Sequence, residues 1–323
     1  MPAPLDEFGW IASLRSLTGG DNRALDLADD AAVLPARPGF DLVISKDAMV
    51  EGVHFPVGER ADVIARRLLR TSLSDLAAKA AEPFGYFLLT AWPPDRGEGD
   101  RAAFRAGLEA DGREFGLVLL GGDTVATPGP LVVSATVLGW TAEGRAVPRR
   151  GARAGDALII CGPIGDGWLG LQAAQGKLAD PGEILAARYR LPTPLLALRD
   201  ALVKYANAAA DVSDGLIADA GHVAKASGLG FSLELADMPL SPEVRAWCDS
   251  QDRSRALTAL AAGGDDYALV CAVDPDLGAG FLAAVESAHI PAARAGTFEV
   301  AAGMRIAVDG RPVAPTTTGW SHS

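Results

Sequence analysis

The chain has 323 residues, a formal net charge of −12, and 49% hydrophobic residues against only 6% aromatic ones. Such a length can bury two domain cores, and such an apolar fraction excludes a disordered chain. The acidic balance, with no basic stripe, excludes a nucleic-acid binder.

Cys161, Cys248 and Cys271 are odd in number and lack CxxC spacing, which argues against a disulfide framework or a zinc site and for a reducing compartment. Asp6 and Glu7 stand where a signal peptide would carry basic residues, and apolar runs such as Leu117–Leu120 are only strand length. We therefore expect a soluble, cytoplasmic protein with no membrane partner.

In chain order, helical spacing predicts an opening amphipathic helix over Phe8–Leu17. A strand over Asp41–Ser45 should end at the motif Ser45-Lys46-Asp47. Ala61–Ala80 is the clearest helix, with an apolar stripe of Ile64, Leu68, Leu69, Leu73 and Leu76. Asp75 falls near Thr71, Ser72 and Lys79 on that helix by the three-or-four-residue rule. Strands are expected at Tyr86–Ala91, Gly116–Leu120 and Leu131–Gly139, with a helix over Arg101–Glu114.

A polar, glycine-containing turn at Arg149–Asp156 opens a second unit, so we place the domains at 1–148 and 149–323. Strand Ala157–Cys161, a glycine loop and a helix to about Ala174 come next. Helices over Leu195–Tyr205 and Leu216–Ser227, strands Phe231–Leu235 and Tyr267–Val273, a helix over Leu277–Ala288 and a β-rich tail complete the pattern. Strands and helices alternate in both halves, giving a two-domain α+β fold, an α/β sandwich in each half.

Short carboxylate motifs recur along this framework: Ala28-Asp29-Asp30-Ala31-Ala32, Ser45-Lys46-Asp47, Leu73-Ser74-Asp75-Leu76-Ala77, Gly121-Gly122-Asp123-Thr124, Asp211-Val212-Ser213-Asp214-Gly215 and Gly263-Gly264-Asp265-Asp266-Tyr267. Each sets Asp among small residues that let a ligand approach the backbone. Any one of them is an ordinary turn or cap, but together they suggest hard cations held by oxygen ligands. The apolar Ala31–Leu34 after Asp29-Asp30 suggests a semi-buried pair, and Asp123 should follow a strand end where ligand loops sit.

Gly162-Pro163-Ile164-Gly165-Asp166-Gly167 has the context of a phosphate site at a helix N-terminus, but a tight strand-to-helix turn explains it equally well. It matches neither GxGxxG nor a Walker A loop. Of the histidines, His222 falls in a helix, and His289 and His322 read as surface or tail residues. Only His54, close after Asp47, is a site candidate, and no nucleophile–base arrangement is legible.

The ordered motifs, covering roughly residue 7 to Trp320, resemble the thiamine-monophosphate kinase family, part of the aminoimidazole-ribonucleotide synthetase-like ATP-binding superfamily. The resemblance implies an N-terminal α/β domain for ATP, Mg²⁺ and dimerisation, and a C-terminal α+β domain completing the nucleotide and substrate site. It implies ATP-dependent phosphorylation of thiamine monophosphate to thiamine diphosphate, several Mg²⁺ ions and a homodimer. By motif, Asp30, Ser45, Asp47, Asp75, Asp123, Asp211 and Asp214 become metal ligands. Phe115, Gly122, Asp123, Arg149 and Ser213 become ATP contacts, and His54, Asp265 and Trp320 become substrate contacts. Lys46 stands where the pattern has Thr, Asp265 where it has Glu, and Ala28 where it has Gly. Another ATP-dependent member of the superfamily, or a catalytically inactive homologue, is the alternative.

Overall fold

A computed structural model describes residues 7–320; Asp6 and His322 lie outside the described residues. The described chain divides into two compact units. One holds the residues up to Leu76 together with Ala81–Gly144, and the other holds Ala77–Ala80 and the chain from Arg145 onward.

In the first unit, α1 (Glu7–Leu14) runs into short 3-10 turns, followed by β1 (Phe40–Val50), α2 (Ala61–Ala78), β2 (Glu82–Trp92), α3 (Glu98–Phe115), β3 (Val118–Ala126) and β4 (Val132–Ala142). The four strands form one sheet in the order β1-β4-β2-β3. The predicted stripe of α2 holds, since Ile64, Leu68, Leu69, Leu73 and Leu76 are all fully buried. Asp111 of α3 is also fully buried, where Arg66 and Arg70 of α2 pair with it at 2.8 and 2.7 Å.

Two expectations need correction here. β1 does not stop at Ser45 but continues to Val50, and β3 runs through Gly121–Thr124 rather than ending before it. Both are edge strands, and the polar or small residues Ser45–Asp47 and Gly121–Thr124 interrupt the apolar run by which a strand is recognised. Their motif residues are therefore strand residues, not loop residues.

The second unit comprises β5 (Ala157–Cys161), α4 (Asp166–Ala174), α5 (Ile184–Arg190), α6 (Arg199–Tyr205), β6 (Ala206–Val212), α7 (Leu216–Ala226) and β7 (Gly230–Glu234). It continues with α8 (Pro242–Asp249), α9 (Arg253–Gly263), β8 (Ala268–Val273), α10 (Gly278–Ser287), β9 (Ala292–Glu299), β10 (Met304–Val308) and β11 (Arg311–Pro312). The sheet order is β11-β10-β7-β9-β5-β8-β6. Its central strands are buried on both faces. Leu158 and Ile160 join one core cluster with residues of α7 and α9, while Ile159 and Cys161 join another with residues of α6 and α10. Strand alternation sends neighbouring side chains to opposite faces, so these strands read as unbroken apolar runs.

Candidate active site

Ser45 and Asp47 occupy alternate positions of β1 and so share one face of that strand. The Ser45 hydroxyl donates to Asp75 Oδ2, which links β1 to α2. Burial and then the nearby Asp75 charge push the Asp47 carboxyl up to about 6, against the opposing hydrogen bond from Ser72. The two carboxylates, held this closely, repel one another when both are ionised unless a cation lies between them. That is the donor set of a hard divalent ion, which these residues fit. Lys46, on the alternate position, instead donates to Ser134 Oγ at 3.0 Å.

Asp29 and Asp30 are exposed, not semi-buried, and Val33 beside them is 63% exposed. In the apolar run after the pair, Ala31 and Val33 are exposed while Ala32 and Leu34 are half-buried, and three consecutive left-handed residues, Leu25, Asp26 and Leu27, precede it. Both aspartates line a cavity of about 460 Å³ together with Gly121, Gly122, Asp123 and Thr124, walled by Trp10 and Leu14 of α1. Gly122 is required there, since a Cβ would stand 1.9 Å from the Leu88 carbonyl oxygen.

Asp47, Ala135, Leu88 and Gly122 form one row across the four strands. Asp123 is the next residue along β3, about three strand spacings (roughly 14 Å) from Asp47. One copy of the chain therefore brings Asp30 and Asp123 together, and Ser45, Asp47 and Asp75 together, as separate groups. Phe115, at the C-terminal end of α3, is not among the cavity's lining residues; the Arg70 guanidinium lies 5.0 Å over its ring.

His54 is half-buried just after β1. Its Nδ1 accepts the Val50 N–H at 3.0 Å. A backbone N–H can only donate, so the neutral ring carries its proton on Nε2.

In the second unit, Asp211 is buried near the end of β6, and Ser213 and Asp214 follow in the turn to α7. The backbone of this turn is fully engaged. The carbonyls of Val212, Ser213 and Asp214 accept the N–H groups of Tyr267, Asp265 and Trp320, each at 2.8 Å. The N–H groups of Ser213, Asp214 and Gly215 donate to Asp219 Oδ2 at 3.1, 3.1 and 3.3 Å. Gly215, at φ +128°, has the left-handed freedom the turn needs. The proposed substrate contacts Asp265 and Trp320 are thus bonded through their own backbones to the turn that carries Ser213 and Asp214. Asp265 accepts from the Tyr267 hydroxyl at 2.9 Å, and Trp320 is 58% exposed. Arg149 lies exposed in the turn before β5.

The glycine loop before α4 is a tight turn rather than an anion site. Asp266 Oδ1 takes the N–H groups of Gly165 and Gly167, both at 2.9 Å, so a carboxylate already occupies that helix terminus. Burial pushes the Asp266 carboxyl well above the usual carboxylate range, against those two hydrogen bonds. Asp219 and Asp266 are the functional-site neighbours that sequence reasoning missed. Asp266 stood inside a quoted motif without a role, and Asp219 lies five residues beyond Asp214 on the first turns of α7.

The AIR synthase related protein N-terminal domain matches residues 28–141, and the corresponding C-terminal domain matches residues 153–309. The thiamine-monophosphate kinase of Caulobacter vibrioides is 54% identical over 322 residues, covering 99% of this chain and 92% of that protein. The chain belongs to the thiamine-monophosphate kinase family. It is accordingly a phosphotransferase, with the two-domain α+β architecture of the AIR synthase related proteins. The crystal structure of the family's enzyme from Stenotrophomonas maltophilia K279a superposes with a TM-score of 0.83 at 34% identity, covering 96% of this chain and 99% of that one. AaThiL complexed with AMPPCP and TMP superposes with a TM-score of 0.76 at 26% identity, covering 98% and 97%.

Proposed function

We propose that this kinase transfers the γ-phosphoryl group of ATP to thiamine monophosphate, giving thiamine diphosphate and ADP by direct in-line displacement. The observation that carries this reading is the saturated turn at Ser213–Gly215, whose carbonyls are tied to Asp265 and Trp320. It joins the residues assigned to nucleotide and metal with those assigned to the thiamine moiety in one rigid piece of backbone.

The acceptor is a phosphate oxygen of thiamine monophosphate. A phosphomonoester with a second pKa of about 6 is mostly dianionic at neutral pH, so the attack needs no general base. The new bond forms from that oxygen to the γ-phosphorus as the bond to the ADP oxygen breaks. Mg²⁺ ions, when bound, neutralise the two polyanions and the charge developing between them. Asp30, Ser45, Asp47, Asp75, Asp123, Asp211 and Asp214 are the residues that would hold them. Ser213, Gly122 and Arg149 bind the nucleotide phosphates, with Phe115 near the nucleotide. His54 donates its Nε2 proton to the substrate phosphate, while Asp265 and the Trp320 ring favour the cationic thiazolium.

We further read the protein as a cytoplasmic homodimer. Phe40, Leu42 and Ile44 alternate along the edge strand β1 as exposed apolar residues, a surface suited to a second copy. Cys161, Cys248 and Cys271 are buried and free of disulfides, which suits a reducing compartment. No helix among the described residues is long and apolar enough to cross a membrane. The deciding experiment measures ADP release with ATP, Mg²⁺ and either thiamine monophosphate or thiamine. Turnover with the monophosphate alone is expected; equal turnover of free thiamine would refute a phosphate acceptor, because a hydroxyl needs a base that the site does not offer.

A further inference from the structure

Asp219 is 3% exposed, and its two oxygens do different things. Oδ2 gathers the N–H groups of Ser213, Asp214 and Gly215, while Oδ1 lies 3.3 Å from His222 Nδ1, one turn further along α7. The carboxylates of Asp214 and Asp219 and the His222 ring all bring an oxygen or nitrogen within 4.8 Å of one another. Such a cluster could be read as three metal ligands, but the bonding of Asp219 argues otherwise. An oxygen with three backbone donors has no lone pair directed outward, and its partner oxygen is engaged by imidazole.

Helix capping explains only part of this. A side chain inside the first turn that reaches back to the N-cap N–H is a known cap, and Asp219 does this for Gly215, the N-cap of α7. It also holds the N–H groups of Ser213 and Asp214, which lie before the cap and outside the helix. Asp219 therefore clamps the turn as well as the helix.

We propose that Asp219, oriented by His222, is a positioning residue that sets the Ser213 and Asp214 side chains for the metal–nucleotide complex. The proposal rests on the reading that this turn holds that complex. Its N–H groups are tied to Asp219 and its carbonyls to the Asp265 and Trp320 segments, so the turn is held from both sides. Asp214 then remains the carboxylate of the cluster with oxygens to offer a metal.

The test is Mn²⁺ affinity in the presence of a nonhydrolysable ATP analogue, read by electron paramagnetic resonance, alongside the Mg²⁺ dependence of turnover. Asp219→Asn keeps an amide oxygen for the three N–H donors but removes the negative charge they share and sets an NH₂ group against His222 Nδ1. It is expected to weaken Mn²⁺ binding at least about tenfold, the usual minimum for removing an outer-shell partner of a metal site. The Mg²⁺ half-saturation should rise in parallel. His222→Asn should shift the same quantities in the same direction by less, since His222 acts on the turn only through Asp219. A purely structural role would lower the melting temperature without moving either metal quantity. A folded Asp219→Asn with wild-type metal affinity overturns the proposal; if that variant does not fold, unchanged affinity in His222→Asn overturns it. Asp214→Asn separates the two levels. Should it bind Mn²⁺ like wild type, the reading of the turn falls and the proposal with it. Should it be impaired while Asp219→Asn is not, the proposal alone falls.

Discussion

The backbone N–H of Trp320 donates to the Asp214 carbonyl at 2.8 Å, fastening the end of the described chain to the turn before α7. Gly319, just before it, lies so close that a Cβ would stand 2.6 Å from that same carbonyl oxygen and from the Ala218 Cβ. The indole is thereby set by backbone contacts on Asp214, a residue assigned to metal.

Trp320→Ala removes the ring but keeps this attachment. The KM for thiamine monophosphate should rise by about 1–2 kcal/mol equivalent, roughly 5- to 30-fold, for a partly exposed cation–π contact. The KM for ATP should stay within about twofold. A larger effect on ATP in steady-state kinetics would mean that the two substrates have been exchanged. Gly319→Ala, which disturbs the attachment itself, should impair both.

Asp75→Asn is expected to reduce turnover at least about 100-fold, because it removes one carboxylate from a shared ion site. Its effect on the metal-free fold has the opposite sign. The Asp75 charge helps hold the Asp47 carboxyl above its ordinary range, so removing it relieves repulsion. The melting temperature without Mg²⁺ should therefore stay unchanged or rise, and a clear fall in a calorimetric scan would count against the ion-site assignment.

Metal binding should also release protons. Asp47 titrates at about 6 without metal, chiefly through burial and then through the Asp75 charge, and a ligating carboxylate must be ionised. A carboxyl with a raised folded pKa binds more protons folded than unfolded between its two pKa values. Stability of the metal-free protein from this group therefore falls as pH rises through about 4 to 6. Mn²⁺ affinity should climb over the same range and level off above about pH 7. Calorimetry in buffers of different ionisation heat should detect about half a proton released at pH 6 and almost none at pH 8.

Ile44→Asp should convert a dimer to a monomer at micromolar concentration, because it puts a charge in the exposed apolar row of β1. Light scattering coupled to size exclusion checks this. A monomeric wild-type protein would remove the homodimer from the functional reading.

With Nδ1 of His54 committed to the Val50 N–H, the ring has a donor, not a nucleophile, to offer the substrate. His54→Asn should keep measurable turnover with weaker thiamine monophosphate binding. ATP chiral at the γ-phosphorus should transfer with inversion; net retention would make His54 a phosphoryl carrier.

The large periodic elements were legible in the sequence because their packing is one-sided or long. The α2 stripe and the all-apolar β5 are the clearest cases. β6 was not legible, since Ala206–Val212 is largely alanine, a poor strand former, and its strand state is imposed by pairing with β8. The exposed edge strands β1 and β3 hid their true length behind polar motif residues. The aspartates of the site could be picked out as motifs, but not their grouping, since that depends on which strands are neighbours in the sheet. Asp219 was least visible of all: three of its partners are backbone N–H groups, and those leave no trace in residue type.

Gly122 and Asp123 are adjacent letters of one motif, yet different forces keep them. The Leu88 carbonyl, 1.9 Å from where a Cβ would be, excludes any side chain at position 122 whether or not the protein binds a nucleotide. Asp123, exposed on the edge of the sheet, has no comparable packing constraint. With Asp123 in the metal-binding role proposed above, a descendant that had abandoned catalysis would go on carrying Gly122 and be free to shed Asp123, so within this motif the aspartate, not the glycine, would report a working site.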